Sequence, residues 1–270
     1  MNSSPRNSVD FLLPIKPPAP HLDETLLSIL SQTHKDWFLI AVVDGASLPT
    51  VRLLEDRIPS QRLRIISSPM TRGIAVSLND ALRESKSEFC ARIDADDVCE
   101  PDRIEAQLKH MRCSPSMVVL GGSAAIIDAT GRIRRWYHAL DDCDVGRRLL
   151  WRNRIVHSSV LMRRTPILAV GGYNSEAVRR EDYELWMRAA LTGSVATMSK
   201  RLVRYRIVPG QESEMPATTS SIAAVSRARM ALAERLGLSR IEARLIDAAW
   251  RSAQSPVYRA CSPKGSQWSA

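Results

Sequence analysis

Apolar and polar positions along the first 112 residues follow two alternating periods. Short runs rich in apolar residues predict strands at 11–15, 37–43, 62–67 and 88–93. The run WFLIAVV at 37–43 is typical of a strand that is covered on both faces. Between these runs, apolar residues recur at helical spacing, which predicts helices at about 22–32, 50–58, 73–83 and 101–111. Four successive strand–helix units predict an α/β fold with a mostly parallel, doubly wound central sheet.

After residue 112 the pattern changes. Two stretches that flank a turn, 117–128 and 133–138, predict antiparallel strands, and 155–163 predicts another strand. A helix is expected at 181–190, and strands return between 195 and 207. We therefore expect a small antiparallel sheet on this side of the molecule. Residues 221–252 predict one or two Arg-rich amphipathic helices at the C-terminal end.

Composition and charge narrow the possible classes of protein. The chain has 270 residues, 44% hydrophobic and 25% charged, which is enough apolar material for a folded core. Its net charge of +9 fits nucleic acid, an anionic membrane surface, a phosphorylated substrate or simply a solvated basic surface. Five cysteines without a CxxC pair disfavour a zinc site or a disulfide framework. Without an eighteen-residue apolar run or a signal-peptide core, we expect a cytoplasmic protein.

The most informative stretch is ARIDADD, residues 91–97, at the end of a predicted strand. Open α/β sheets bind ligands at the carboxyl edge of their strands, where Asp94, Asp96 and Asp97 are expected to lie. Carboxylates at ~4 Å repel one another by roughly 4 kcal/mol per pair. A hard cation such as Mg²⁺ or Mn²⁺ would remove that repulsion. An acidic turn that caps the next helix is the alternative interpretation of the cluster taken alone.

Ten segments in one order resemble the family 2 glycosyltransferases, which have the GT-A fold. They extend from residue 9 to about 213 and are LLPI (12–15), SILSQTHKDW (28–37), VVDGAS (42–47), RGIAVSLNDAL (72–82), ARIDADD (91–97), PDRIEAQ (101–107), HSSVLMRR (157–164), GGY (171–173), EDYELWMRA (181–189) and YRIVPGQES (205–213). The resemblance implies inverting transfer of a sugar from a nucleotide-diphosphate sugar to a hydroxyl acceptor on a polysaccharide, glycolipid or other glycoconjugate. It also implies a divalent cation, Mn²⁺ or Mg²⁺.

The same resemblance implies a division of the chain. Residues 1–215 would form the GT-A catalytic domain, with a nucleotide-binding half at 9–112 and an acceptor half at 113–215. Residues 216–270 would be an Arg-rich helical extension.

On the donor side, the resemblance implies roles for five residues near strand ends. Asp96, in the DxD motif, would be the direct metal ligand, and Asp94 would contact the nucleoside or ribose. Pro14 and Asp44 match the positions that hold the nucleotide base. Arg72 lies in the loop before a helix, near the expected base or diphosphate.

On the acceptor side, Asp182 matches the general base of inverting members, although a carboxylate at a helix start could instead be an N-cap. A carboxylate that takes the hydroxyl proton contributes on the order of 10²–10⁴-fold to the rate. Glu181 and His157 are expected near the acceptor, with a core histidine as the alternative for His157. Trp186, four residues after Asp182, fits either a ring that stacks on sugar or a core aromatic.

Three departures from the family pattern support a second hypothesis, a catalytically idle GT-A module that binds nucleotide. The first strand continues into Lys16-Pro17, where many members have an asparagine. The nucleotide loop reads Asp44-Gly45, with one carboxylate fewer than usual. Val208-Pro209 stand where many members have a histidine that reaches the metal or diphosphate.

The sequence of the basic C-terminal helices does not decide what they bind. They could track nucleic-acid phosphates, but no nucleic-acid motif accompanies them and no nucleic acid is expected. They could lie on the anionic inner face of the cell membrane beside a lipid-linked acceptor, form a homodimer face, or be a solvated basic face. The arginines in question are Arg227, Arg229, Arg235, Arg240, Arg244 and Arg251.

Overall fold

The computed structural model describes residues 8–141, 144–208 and 216–254. Its strands are β1 (Val9–Ile15), β2 (Trp37–Asp44), β3 (Leu63–Ser68), β4 (Phe89–Arg92), β5 (Val98–Cys99), β6 (Met117–Ile127), β7 (Ile133–Tyr137), β8 (Leu161–Arg163) and β9 (Ser194–Arg206). Its helices are α1 (Leu22–Leu30), α2 (Leu48–Arg57), α3 (Ile74–Glu84), α4 (Arg103–Cys113), α5 (Gly146–Leu149), α6 (Arg164–Ala169), α7 (Glu181–Ala189), α8 (Thr219–Arg235) and α9 (Arg240–Ala253). Two 3₁₀ turns cover Ser60–Arg62 and His157–Ser159.

The described strands form one sheet in the order β3-β2-β1-β4-β8-β6-β9-β5, with β7 paired to β6. Strands β3, β2, β1 and β4 are mutually parallel, which confirms the predicted α/β class with a parallel central sheet. Strand β8 is antiparallel to both β4 and β6, while β6 and β9 run parallel. The acceptor-side strands therefore continue the central sheet and do not form a separate layer.

Both faces of the parallel strands are buried, because successive side chains of a strand point to opposite faces. In β1, Phe11 and Leu13 pack into a core with α1, α2 and α4, whereas Leu12 packs into a second core with α3 and α7. Each fully buried apolar side chain contributes about 1.5–3 kcal/mol. This double burial explains why the strands read as continuous apolar runs.

Strand β6 joins the two halves of the chain and is buried along its whole length. At its centre, two glycines allow neighbouring segments to approach. A Cβ atom at Gly121 would lie 2.7 Å from Ile155 Cγ2, and one at Gly122 would lie 2.7 Å from Leu202 Cγ. Larger residues at these two positions would push those segments apart.

Helices α8 and α9 pack into the same core as α7. Their buried apolar residues include Val225 and Leu232 of α8 and Trp250 of α9. Local sequence fixes both starts, since Thr218 caps α8 and the Ser239–Glu242 capping box begins α9. The division at residue 215 stays a prediction, but the described part of 216–270 shares the main core. None of the described helices is both long and apolar enough to cross a bilayer.

The prediction of one strand over 155–163 is wrong. Only Leu161–Arg163 is a strand, and His157–Ser159 forms a 3₁₀ turn. The side chains of the turn cause this break, because Ser159 Oγ donates to the Val156 carbonyl at 2.7 Å and accepts from the Gly122 N–H. His157 therefore lies on a tight turn and not on a strand.

Candidate active site

Three carboxylates follow β4 at the carboxyl edge of the sheet. Asp94, Asp96 and Asp97 each place one carboxylate oxygen within 4.8 Å of the others. Asp97 is fully buried, and its Oδ1 accepts the backbone N–H of Arg206 at 2.7 Å. Its Oδ2 has no hydrogen-bond partner among the described residues. The predicted cluster therefore exists as one compact group of acids.

Asp94 is held in place by Arg92, a residue that sequence reasoning passed over. Arg92 ends β4, is 1% exposed, and donates from both Nη atoms to the Asp94 carboxylate. Arg92 Nη1 also donates to Ser158 Oγ at 2.7 Å, and Ser158 Oγ accepts the Asp94 N–H at 3.1 Å. A bidentate ion pair of this kind fixes the orientation of the carboxylate as well as its charge.

The other two acids, Asp96 and Asp97, have raised pKa values. Burial, and then the charge of Asp94, raises the pKa of Asp96 to about 6. Burial, and then the charge of Asp96, raises the pKa of Asp97 well above its usual range. Both shifts disfavour ionisation in the protein alone, and a cation at this place would reverse them.

This donor set fits one hard cation. It offers only oxygen ligands, concentrates negative charge where solvent access is low, and includes a buried carboxylate oxygen that no described residue satisfies. Of the three acids, Asp94 is already paired with Arg92. Arg206 of β9 also contacts the cluster, since its Nε donates to the Asp96 carbonyl at 2.8 Å.

The predicted nucleotide end lies along the same edge of the sheet. Asp44 ends β2 and is 4% exposed, with Oδ1 accepting the Arg72 N–H and Oδ2 the Gly73 N–H, each at 2.8 Å. Gly73 has φ of +96°, a conformation that glycine adopts without strain. Pro14 of β1 pairs in register with Val42 of β2. Asp44 therefore shapes the loop that presents Arg72, whose side chain also pairs with Asp80 at 2.7 Å.

On the acceptor side, Asp182 lies in the first turn of α7. Its Oδ1 accepts the Tyr183 N–H at 2.6 Å, and its Oδ2 accepts from Asn153 Nδ2 at 2.7 Å. The N-cap of α7 is Arg180, so Asp182 is not the N-cap residue, although its carboxylate does accept an N–H of the first turn. Burial raises the pKa of Asp182, while the two hydrogen bonds lower it. The result is an oriented carboxylate with a higher proton affinity than an exposed aspartate.

Glu181 and Trp186 share α7 with Asp182, and His157 contacts this helix through Trp186. Glu181 is 8% exposed, and its Oε2 has no hydrogen-bond partner among the described residues. Burial, and then the charge of Asp182, raises the pKa of Glu181 to about 7. His157 Nε2 lies 2.9 Å from Tyr173 Oη, and burial lowers the pKa of His157 so that it is neutral at pH 7. Trp186 is fully buried and edge-on to His157, which fits a core aromatic.

The acids that follow β4 and the acids at the start of α7 are linked through residues 157 and 158. Ser158 bonds to Asp94, and its neighbour His157 contacts Trp186 of α7 with ring centroids 5.8 Å apart. The charge of Arg92 lowers the pKa values of both Glu181 and Asp182, and the charge of Asp94 raises that of Glu181. The two groups of acids therefore lie within electrostatic reach of each other.

Comparison with known proteins identifies the family. Residues 12–185 match the family model described as glycosyl transferase family 2. The chain belongs to glycosyltransferase family 2. This confirms the resemblance drawn from the ten sequence segments, and with it the prediction of a glycosyltransferase.

Sequence relatives of this family 2 glycosyltransferase are distant. It is 28% identical to an uncharacterized glycosyltransferase of Haemophilus influenzae over 72% of its own length and 64% of that protein. It is 27% identical to the amylovoran biosynthesis glycosyltransferase AmsE of Erwinia amylovora, over 69% of its own length and 70% of AmsE. The putative glycosyltransferase EpsE of Bacillus subtilis is 29% identical over 70% of this chain and 68% of EpsE. The chain thus spans about two thirds of the length of these relatives.

Solved structures share its fold. S. aureus TarS 1–349 in complex with UDP-GlcNAc has a TM-score of 0.72 and 15% identity, over 94% of this glycosyltransferase and 74% of that chain. The mannosyltransferase PcManGT from Pyrobaculum calidifontis, in complex with GDP-Man and Mn²⁺, has a TM-score of 0.57 and 17% identity, over 94% and 82%. The predicted GT-A fold is confirmed by this likeness.

Proposed function

We propose that this glycosyltransferase moves a sugar from a nucleotide-diphosphate sugar to a hydroxyl group of a glycan or lipid-linked acceptor, with inversion at the anomeric carbon. The observation that carries the proposal is the acid cluster at the end of β4, which lies within electrostatic reach of the carboxylates at the start of α7. A departing diphosphate needs positive charge and an attacking hydroxyl needs a proton acceptor. Asp182 would accept the proton, and Asp96 would hold the cation that supplies the positive charge.

In the proposed reaction, the Asp182 carboxylate takes the proton of the acceptor hydroxyl. The hydroxyl oxygen then forms a bond to the anomeric carbon on the face opposite the leaving group. The bond from that carbon to the diphosphate oxygen breaks, and the nucleoside diphosphate leaves with the electron pair. Asn153 and the Tyr183 N–H orient Asp182 for this step. A divalent cation, Mn²⁺ or Mg²⁺, when bound at Asp96, would neutralise charge on the diphosphate oxygens.

The substrate class is supported by the related proteins. TarS is described in complex with UDP-GlcNAc and PcManGT with GDP-Man and Mn²⁺, so nucleotide sugars and a divalent cation both occur with this fold. AmsE is named for amylovoran biosynthesis and WbnJ of Escherichia coli for O-antigen biosynthesis. We therefore place this chain in the assembly of a cell-envelope polysaccharide. Pro14, Asp44, Arg72 and Asp94 are proposed for the donor, and Glu181 and His157 for the acceptor side, with Trp186 as the core aromatic behind His157.

Release of nucleoside diphosphate from a panel of UDP- and GDP-sugars, with and without Mn²⁺, tests the proposal. We expect Mn²⁺-dependent release by the wild type and loss of release in Asp96→Ala and Asp182→Asn. Asp23→Asn is a matched control, because Asp23 pairs with Arg57 on the surface. Full activity in Asp96→Ala or Asp182→Asn would overturn the role of that residue. Wild type that binds a nucleoside diphosphate yet neither transfers nor hydrolyses any donor would favour the idle binding module.

We also propose that α9 brings the enzyme to an anionic membrane surface at the inner face of the cell membrane. Ile241 and Leu245, one turn apart, are 73% and 65% exposed. Arg240 and Arg244 are exposed on the adjacent stripe. Apolar side chains beside arginines suit anionic lipid, and each arginine near such a surface contributes about 1 kcal/mol. A homodimer through the same stripe would bring like charges together, which disfavours that alternative.

Sedimentation with vesicles tests this contact. We expect binding to phosphatidylcholine vesicles that contain phosphatidylglycerol, weaker binding to phosphatidylcholine alone, and loss of binding in the double variant Ile241→Ser/Leu245→Ser. Leu48→Ser, at an equally exposed leucine of α2, is the control. Equal binding by the double variant, or a dimer that this variant dissociates in sedimentation velocity, would overturn the proposal.

A further inference from the structure

Arg229 of α8 is a fully buried cation whose side chain contacts three other segments of the fold. Its Nη1 pairs with Asp247 Oδ1 of α9 at 2.7 Å, and its guanidinium carbon lies 4.0 Å from the centroid of the Trp250 ring. Its Nε donates to the Leu150 carbonyl at 2.8 Å, and its Nη2 donates to Tyr183 Oη at 3.2 Å. The prediction that Arg229 could track phosphates on a basic surface is therefore wrong, because no part of it is exposed.

The contacts of Arg229 converge on the two segments that grip Asp182. Tyr183 supplies the N–H that binds Asp182 Oδ1, and the Tyr183 hydroxyl donates to the Leu149 carbonyl at 2.6 Å. Asn153, three residues after Leu150, supplies the amide that binds Asp182 Oδ2. Arg229 thus bonds to the residue that follows Asp182 and to the start of the segment that carries Asn153.

We propose that Arg229 is a positioning residue for Asp182, and that α8 and α9 belong to the catalytic unit. This inference rests on the proposed function, because it assigns a role toward the proposed base. The match to the family model ends at residue 185, so both helices lie beyond the part of the chain that the family defines. Through Arg229, this chain uses its own C-terminal helices to set the spacing between Asn153 and Asp182.

The chemistry of the buried cation explains why this link is rigid. A guanidinium presents donors in a fixed planar fork, so three hydrogen bonds to separate segments leave it a single orientation. Asp247 neutralises its charge, and Trp250 covers one face. Removing the guanidinium leaves the buried Asp247 carboxylate without this cation and frees the Leu150 carbonyl. The segment from Leu150 to Asn153 can then move relative to α7.

Steady-state kinetics of Arg229→Met and Tyr183→Phe test the inference, with Arg227→Gln as the control on the same helix. Arg227 is exposed and pairs only with Glu176 among the described residues. We expect kcat to fall on the order of 10²-fold in Arg229→Met, since small misplacements of a catalytic group have effects of this size, with an unchanged KM for the donor. Tyr183→Phe, which keeps the ring, should lower kcat in the same way but less.

A double-mutant cycle with Asn153→Ala separates positioning from a merely structural role. If Arg229 acts through Asn153, Arg229→Met should lower kcat far less in the Asn153→Ala background than in the wild type. Fully additive losses, or unchanged kcat in folded Arg229→Met and in Tyr183→Phe, would overturn the inference. Should Arg229→Met fail to fold, Tyr183→Phe alone decides.

Amide hydrogen exchange gives a readout that needs no activity. Arg229→Met should speed exchange over residues 149–155 at least tenfold and leave β1 and β2 unchanged, whereas Arg227→Gln should alter neither. Unchanged exchange over 149–155 would overturn the inference even if the enzyme is active. If the wild type releases no nucleoside diphosphate from any donor, the proposed function fails, while the exchange result still decides whether Arg229 holds this segment.

Discussion

Replacing Asp96 with asparagine should stabilise the protein while it abolishes transfer. The pKa of Asp96 is about 6 in the folded chain against an ordinary value of 3.8. Each pKa unit corresponds to about 1.36 kcal/mol, so ionised Asp96 costs the folded state on the order of 3 kcal/mol at pH 7. Solvent around this half-buried side chain screens part of that cost, so this figure is an upper bound. We therefore expect Asp96→Asn to raise the Tm by several degrees, at about 2–4 °C per kcal/mol.

The pH dependence of this gain identifies its origin. Because the folded-state pKa is raised, the penalty is complete above pH 6 and disappears as the folded protein takes up a proton at lower pH. The difference in unfolding free energy between Asp96→Asn and wild type should shrink to about half between pH 7 and pH 5. Urea unfolding at both pH values measures it. A variant that is less stable than wild type at pH 7, or a gain that does not change with pH, would refute the reasoning.

Manganese provides the complementary measurement. Mn²⁺ should stabilise the wild type, because a bound cation relieves the repulsion that the asparagine removes. It should stabilise Asp96→Asn much less. Equal thermal shifts in the two proteins would show that Asp96 does not hold the ion.

Four further predictions concern Asp182, Asp44 and Gly122. Asp182→Asn should lower kcat by about 10²–10⁴-fold, and a normal kcat would contradict its role as base. Since the pKa of Asp182 is raised, wild-type kcat should fall on the acid side at a pH above 3.8; activity that persists down to pH 4 would be the contrary result. Asp44→Ala leaves two loop N–H groups without their carboxylate, so urea unfolding should show a loss of about 1–3 kcal/mol and donor KM should rise. Gly122→Ala should destabilise by about 1–3 kcal/mol through its clash with Leu202, and an unchanged Tm would contradict it.

The elements of the first 112 residues could be predicted because their signals are local. The run at 37–43 alternates between two cores, and each helix between strands shows its own apolar stripe, so β2 and its neighbours follow from periodicity alone. Asp94 and Asp96 could be placed at the carboxyl edge of the sheet because they directly follow the predicted strand 88–93. Topology then brings Asp44 and Asp96 to one edge of the sheet.

The supporting residues could not be predicted, because their roles depend on partners far along the chain. Asn153 has no local signal, and only the fold brings its amide to Asp182. Arg92 stands inside a segment that sequence reasoning singled out, yet its ion pair with Asp94 requires that it be buried at the end of β4. The prediction of a strand over 155–163 is wrong for a similar reason. Ser158 bonds to Arg92 of β4 and Ser159 to Gly122 of β6, and these bonds bend the chain.

The unbroken sheet has a consequence for how substrates are enclosed. Many enzymes that handle two substrates close two lobes about a hinge, which needs a flexible joint with few contacts across it. Here β8 and β6 continue the backbone pairing from the parallel strands to β9. Bending at β8 and β6 would break that pairing, so closure about a hinge at this point would cost backbone hydrogen bonds of the sheet.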